Sequence, residues 1–144
     1  MKQSGFTLLE ILVALLVLAI GLLGLAGLMT SSMRNNLSAS HRTQATWQAY
    51  DIIDRMRANR AVAIAGGYAT ALGAAAACST AVPAGTVAQQ DIAAWKNQIA
   101  CALPAGDGSI AVNAAREATI VVQWNDSRGT LGGAAQTFRV STQL

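Results

Sequence analysis

The sequence predicts an α+β chain in which one long N-terminal helix, its first half of membrane-spanning length, packs against a small antiparallel sheet of three or four strands. Three observations predict it. From Phe6 to Met29 almost every residue is apolar. Between Ala45 and Met56, Ala45, Ala49, Ile52, Ile53 and Met56 fall at the spacing of a helix with one buried face. The C-terminal third holds short runs rich in β-branched residues, separated by turn residues.

The chain has 144 residues, 53% of them hydrophobic and 12% charged. Setting aside a membrane-length segment leaves enough chain for one small domain. The formal net charge of +3 gives no nucleic-acid signal by itself. The soft ligands are Cys78, Cys101 and one histidine, His41, too few for a structural zinc site, and no cofactor or metal is expected. Two cysteines in a chain that enters or crosses a membrane fit one disulfide in an oxidising compartment. Closing that loop contributes about 3–4 kcal/mol in the loop-entropy picture. The alternative is two buried free thiols.

Taken in order, residues 6–29 form a helix of roughly 36 Å, enough to cross about 30 Å of hydrocarbon. An ordinary secretory signal has a basic start, a shorter core and a small-x-small cleavage site. Here Lys2 is the one positive charge before the run, the run is too long, and "AGLMTSS" is a poor site. A plain anchor explains the length but neither Glu10 nor the break at Gly5. A charge at the bilayer centre costs at least roughly 2.5–3.5 kcal/mol, and less near one end. Thr7 has a modest role, its hydroxyl bonding back within the first turn. Gly21, Gly24 and Gly27 allow close helix packing or partial unwinding on leaving lipid.

From residue 30 the pattern turns amphipathic, and one helix is expected to continue to about Ile64, with Gly66 and Gly67 as its stop. Trp47 and Tyr50 border its buried face. His41 is read as solvent-facing. Arg55, Arg57 and Arg60 read as a salt-bridged surface with Asp51 and Asp54. Residues 66–90 are a connection with little core of its own. Residues 91–144 then form a short helix and a β head. Asp91 is the expected N-cap, and Ile92, Trp95, Ile99 and Leu103 share one face. "GSIAVNA", "EATIVVQW" and "QTFRVSTQL" are the strands, and "NDSRG" is a turn. "EATIVVQW" alternates poorly but is β-branched.

The stretch "SGFTLLE" resembles the class III signal of type IV prepilins and type II secretion pseudopilins. The resemblance implies that residues 1–5 are a leader, cut after Gly5 by a membrane aspartyl prepilin peptidase. It implies that Phe6 is then N-methylated and that Glu10 is the fifth mature residue. The new α-amino cation at Phe6, or a neighbour's, can compensate Glu10 in a bundle of low dielectric. Glu10 therefore reads as an assembly residue. Longer strings, "LVALLVLAIGLLGLAGL", "DIIDRMRANR", "AAWKNQIACALPAGDGSI" and "IVVQWNDSRG", resemble the type IV pilus modification protein PilV family of minor pilins. That likeness implies a subunit that helps initiate pilus assembly and sits at the tip. Its partners there are other minor pilins, the major pilin, an adhesin-type tip protein and the inner-membrane assembly platform. Twitching motility, adhesion and DNA uptake depend on such fibres. The precursor is expected in the inner membrane with its head periplasmic, and the mature subunit in the pilus. The rival reading is a type II secretion pseudopilin of the subunit I type.

Other function classes find little support. The sequence has no nucleophile–base signature, metal-ligand cluster or glycine-rich phosphate loop, so no enzyme is expected. In the head, Lys96, Arg116, Arg128 and Arg139 face an equal number of acids, Asp91, Asp107, Glu117 and Asp126. Phosphate binding needs a net excess of cations, so no nucleic-acid partner is expected, and a DNA-binding minor pilin is the weakest alternative.

Overall fold

A computed structural model of the chain describes residues 5, 7–129 and 132–144. The leader residues 1–4 and Phe6 lie outside the described residues. In chain order the elements are α1 (Leu8–Ala58), α2 (Arg60–Ile64), α3 (Val87–Ala102), β1 (Asp107–Val112), β2 (Glu117–Trp124) and β3 (Gln136–Gln143). The strands form one antiparallel sheet in the order β1-β2-β3. The fold is the α+β arrangement the sequence predicts: a long apolar helix packed on a small sheet.

The core forms where α1 meets the head. Ala45, Ala49, Ile52, Ile53 and Met56 are at most 1% exposed, as their spacing predicts. Ala45 and Ala49 carry only a methyl group, so α3 can approach closely. There the buried Trp95 donates its indole N–H to the Gln48 carbonyl at 2.8 Å. Ile99 and Leu103 continue the α3 face, and Ile92 packs partly buried beside them. From the sheet come Ala118, Ile120, Val122 and Trp124, every second residue of β2. The β2 segment thus alternates strictly, although its β-branched run hides this in the sequence. Its outward side chains, Glu117, Thr119, Val121 and Gln123, are half-buried, and only the first is charged. Trp47 does not border the core: it is 64% exposed, because it lies two residues from both Ala45 and Ala49, about 200° around the helix. Tyr50, 52% exposed, lies at the edge of the buried face, three residues before Ile53.

The long helix is not continuous to Ile64. It ends at Ala58, and Asn59 leaves helical geometry with φ −117° and ψ 47°. Short polar side chains compete with the helix for hydrogen bonds. Here the Asn59 amide donates to the Tyr68 hydroxyl at 3.4 Å. The one-turn α2 then stops as expected, with Gly66 at φ +83° and Gly67 N–H donating to Val62 O at 2.9 Å.

The connection after α2 is less loose than its composition suggests. Tyr68 is fully buried and donates its hydroxyl to Asp91 at 2.6 Å. Asp91 is therefore not the α3 N-cap. The helix starts earlier, at Thr86, whose side chain and that of Gln89 form a reciprocal capping box. Asp91 sits inside the helix and also takes Arg55 at 3.4 Å. Thr70 exchanges two backbone bonds with Ile110, 3.0 and 2.9 Å. Residues 71–80 are exposed, as a segment without a core should be.

Two outcomes follow for the full chain in detergent micelles. Burial, and then the bond to Asp91, hold the Tyr68 phenol above its usual range. The fold favours the neutral phenol. That contribution is complete below the unfolded value of about 10 and is lost as pH rises through the folded value. Unfolding curves taken above pH 10 should show declining stability, and Tyr68→Phe should flatten this decline while lowering stability at neutral pH. Gly108 lies where an added Cβ would meet the Trp95 ring and, at 2.9 Å, Ile99. Gly108→Val should lower stability by about 1–3 kcal/mol, read as a lower urea midpoint at unchanged slope.

Candidate functional site

The first half of α1 carries the surface that a functional reading must explain. Within it lies a window of mean hydropathy 2.9, none of which is buried in the chain. Leu8, Leu9 and Leu23 are each more than 70% exposed. An apolar surface of this extent does not persist in water. Lipid, or other helices, must cover it.

Glu10 is the acidic residue of that surface. Thr7 caps the helix: its hydroxyl accepts from the Glu10 N–H at 3.3 Å, and its carbonyl accepts from the same group at 3.1 Å. The Thr7 hydroxyl thus bonds within the first turn, as an acceptor at the N-cap. Glu10 then lies in the first turn, where the helix dipole favours negative charge. A shallow groove of about 340 Å³ runs from Glu10 past Ala14 to Leu18, one stripe of the helix at four-residue steps. Gly21, Gly24 and Gly27 have open space where a Cβ would sit, and the helix runs unbroken across them.

The second half of α1 holds the head by side chains the sequence left unconnected. Ser38 donates to Asp126 Oδ2 at 2.5 Å, and His41 Nδ1 lies 3.5 Å from Asp126 Oδ1. His41 is therefore not solvent-facing: its side chain is 13% exposed and that of Asp126 2%. The "NDSRG" segment turns as predicted, with Gly129 N–H donating to Asp126 O at 2.8 Å, and this turn aims the carboxylate at the helix. A cleft of about 300 Å³ beside it is lined by Leu37, His41, Pro104, Asn125 and Arg128.

Arg55 and Arg57 form the salt-bridged surface predicted for them, whereas Arg60, in α2, pairs with no acid among the described residues. Arg55 meets Asp51 at 2.9 Å and Arg57 meets Asp54 at 3.3 Å. They also reach the head. Arg57 donates to the Thr142 hydroxyl at 3.1 Å, and Arg60 to the Leu144 carbonyl at 2.7 Å. Cys78 and Cys101 are joined in a disulfide that fastens the exposed connection to α3. Asn97 reinforces it, accepting from Ser79 N–H at 2.8 Å and donating to Ser79 O at 2.7 Å. Lys96 lies 3.1 Å from Asp107. Among the described residues no group of three His, Cys, Asp or Glu side chains could hold a metal.

Of the residues singled out in the sequence, Gly5 and Glu10 lie at the free end of α1, and Phe6 lies outside the described residues. The cysteines lie far away, on the head. The structure adds Thr7 as a cap, Thr86 with Gln89, Tyr68, Asn97 and the Ser38–His41–Asp126 latch. Only the Thr86-x-x-Gln89 spacing was legible beforehand.

The Prokaryotic N-terminal methylation motif matches residues 1–26. No curated protein and no solved structure gives a significant match to the chain. The motif and the fold together support a type IV pilin-like protein, a pilin or a pseudopilin. The motif and the apolar helix fit a membrane-anchored precursor.

The latch makes a direct prediction. Asp126→Ala leaves the Ser38 hydroxyl and the His41 ring without their acceptor in a nearly buried place. Stability of the full chain in micelles should fall by about 1–3 kcal/mol, with Ser38→Ala costing less. Thermal unfolding of both variants measures this.

Proposed function

We propose that this chain is a minor pilin. It takes part in initiating assembly of the type IV pilus and sits at the pilus tip with other minor pilins, supporting twitching motility and adhesion. The observation that carries the reading is the exposed, membrane-length half of α1 with a carboxylate in its first turn, beneath a prepilin-type methylation motif. In this reading the leader is removed after Gly5 and the α-amino group of Phe6 becomes a cation. That cation, or a neighbour's, compensates Glu10 when helices leave lipid and gather. The attraction is strong because the bundle excludes water, and it offsets the cost of desolvating both charges. The chain acts as a structural subunit rather than a catalyst. The head selects neighbours while α1 supplies the common fibre contact. Its likeness to the PilV family in the segments around Trp95 and Trp124 supports a pilus role over a secretion role.

Three measurements test this. The mass of the native subunit should begin at a methylated Phe6. Glu10→Gln should reduce incorporation into fibres by about tenfold or more, because breaking a buried ion pair costs about 3–5 kcal/mol. Deletion of the chain should remove surface pili and twitching. Intact pili with lost protein secretion would assign it to a secretion pseudopilus instead.

A further inference from the structure

The head's sheet has one capped edge and one open edge. On the capped side, β1 turns the backbone groups of Gly108, Ile110 and Val112 away from β2. This follows from the register, in which Asn113 N–H donates to Glu117 O at 3.0 Å and hydrogen-bonded pairs recur every second residue. Thr70 takes both groups of Ile110. The connection after α2 therefore covers the middle of that edge.

On the other side, Leu144 N–H donates to Arg116 O at 3.0 Å, in step with the β2–β3 register. Pairs such as Ala118 with Thr142 and Ile120 with Val140 are therefore the hydrogen-bonded ones. Thr137, Arg139, Ser141 and Gln143 turn their backbone N–H and C=O groups outward. Among the described residues none of these groups has a backbone partner. The one side-chain contact to them is a long one, from the Thr142 hydroxyl to Gln143 O at 3.5 Å. No residue of β3 is buried, whereas every second residue of β2 is.

Natural edges are blunted by proline, lysine, bulges or short length. This strand has 8 residues, no proline, no lysine and an unbroken register. Its one charge is Arg139, which lies across from Val121 and makes no ion pair among the described residues. We infer that the outer edge of β3 is a strand-addition site for a neighbouring subunit that presents an extended segment with a carboxylate opposite Arg139. Main-chain bonds supply the affinity in such a pairing, and the cross-strand charge pair supplies the choice of partner and register. A second copy of this chain is the wrong partner. Its own β3 holds no Asp or Glu, so self-pairing gives Arg139 no carboxylate in any register and, in the symmetric one, brings two arginines together. The inference rests on the assembly reading only for the partner's being a subunit of the same fibre.

The test uses the full chain in detergent micelles and two blocked eight-residue peptides of alternating threonine and valine. One carries a central glutamate and the other a central lysine. Amide hydrogen exchange of β3 is read residue by residue. The glutamate peptide near saturation should slow exchange at Thr137, Arg139, Ser141 and Gln143 by about tenfold. The inward amides of Phe138, Val140 and Thr142 should change little, and the lysine peptide should do little anywhere. Arg139→Glu should reverse the preference between peptides. Ser141→Pro should abolish protection while the inward amides stay slow, which shows that the sheet has survived. Equal protection by both peptides, protection by neither, or protection that appears with rising concentration of the chain alone each overturns the proposal. Because this assay needs no fibre, it stands or falls independently of the Glu10→Gln result.

Discussion

One packing constraint organises the molecule: α1 offers the head a single narrow face, and the head is built to fill it. Ala45 and Ala49 leave a flat place on the helix, against which Trp95 lies with its indole N–H bonded to the Gln48 carbonyl. Ile52, Ile53 and Met56 then meet Ile99 and the alternate side chains of β2. Each fully buried aliphatic chain here contributes about 1.5–3 kcal/mol. Gly108 leaves room for the Trp95 ring, so the same indole orders α1, α3 and β1. Take this contact away and the helix has no side to prefer.

The polar contacts refine that placement. Two latches bracket the apolar contact along α1. At one end Ser38 and His41 hold Asp126, which arrives on the turn after β2. At the other, Arg55, Asp91 and Tyr68 join α1, α3 and the connection between them. The arginine pairs are partly exposed, where an ion pair adds about 0–1 kcal/mol. Their worth is positional. Asp126 and Tyr68 are different, because both are buried and a missing partner would cost each a full desolvation.

The two halves of α1 face different surroundings by construction. Up to Met33 the helix is apolar or small on nearly all sides and none of it is buried among the described residues, while from Ser38 onward it has a protein side. Glu10 and the open edge of β3 lie in different regions and answer different questions. In the proposed function, the carboxylate on the bare helix concerns joining a bundle of like helices. In the inferred strand addition, the unpaired backbone of β3 concerns which head sits beside this one. The fold keeps the two features apart, one on the bare half of α1 and the other on the head.

The sequence by itself determined whatever local pattern controls. The apolar length of α1, the spacing of Ala45 to Met56, the glycine stop and the three strand segments are all written in neighbouring residues. The methylation motif is local too, which is why Gly5, Phe6 and Glu10 could be singled out without a structure. Tertiary structure decided what depends on residues far apart in the chain. Asn59, where α1 breaks, meets Tyr68, and Tyr68 and Arg55 claim Asp91, which is therefore not the cap of α3. The burial of His41 follows from Asp126, 85 residues away. The Cys78–Cys101 bond and the connection it fastens were suggested by the sequence, but how Asn97 supports it came from the fold. Periodicity reports which face of an element is apolar. It carries no information about which distant side chain will meet that face, because that choice is made by packing and by the need of each buried polar group for a partner.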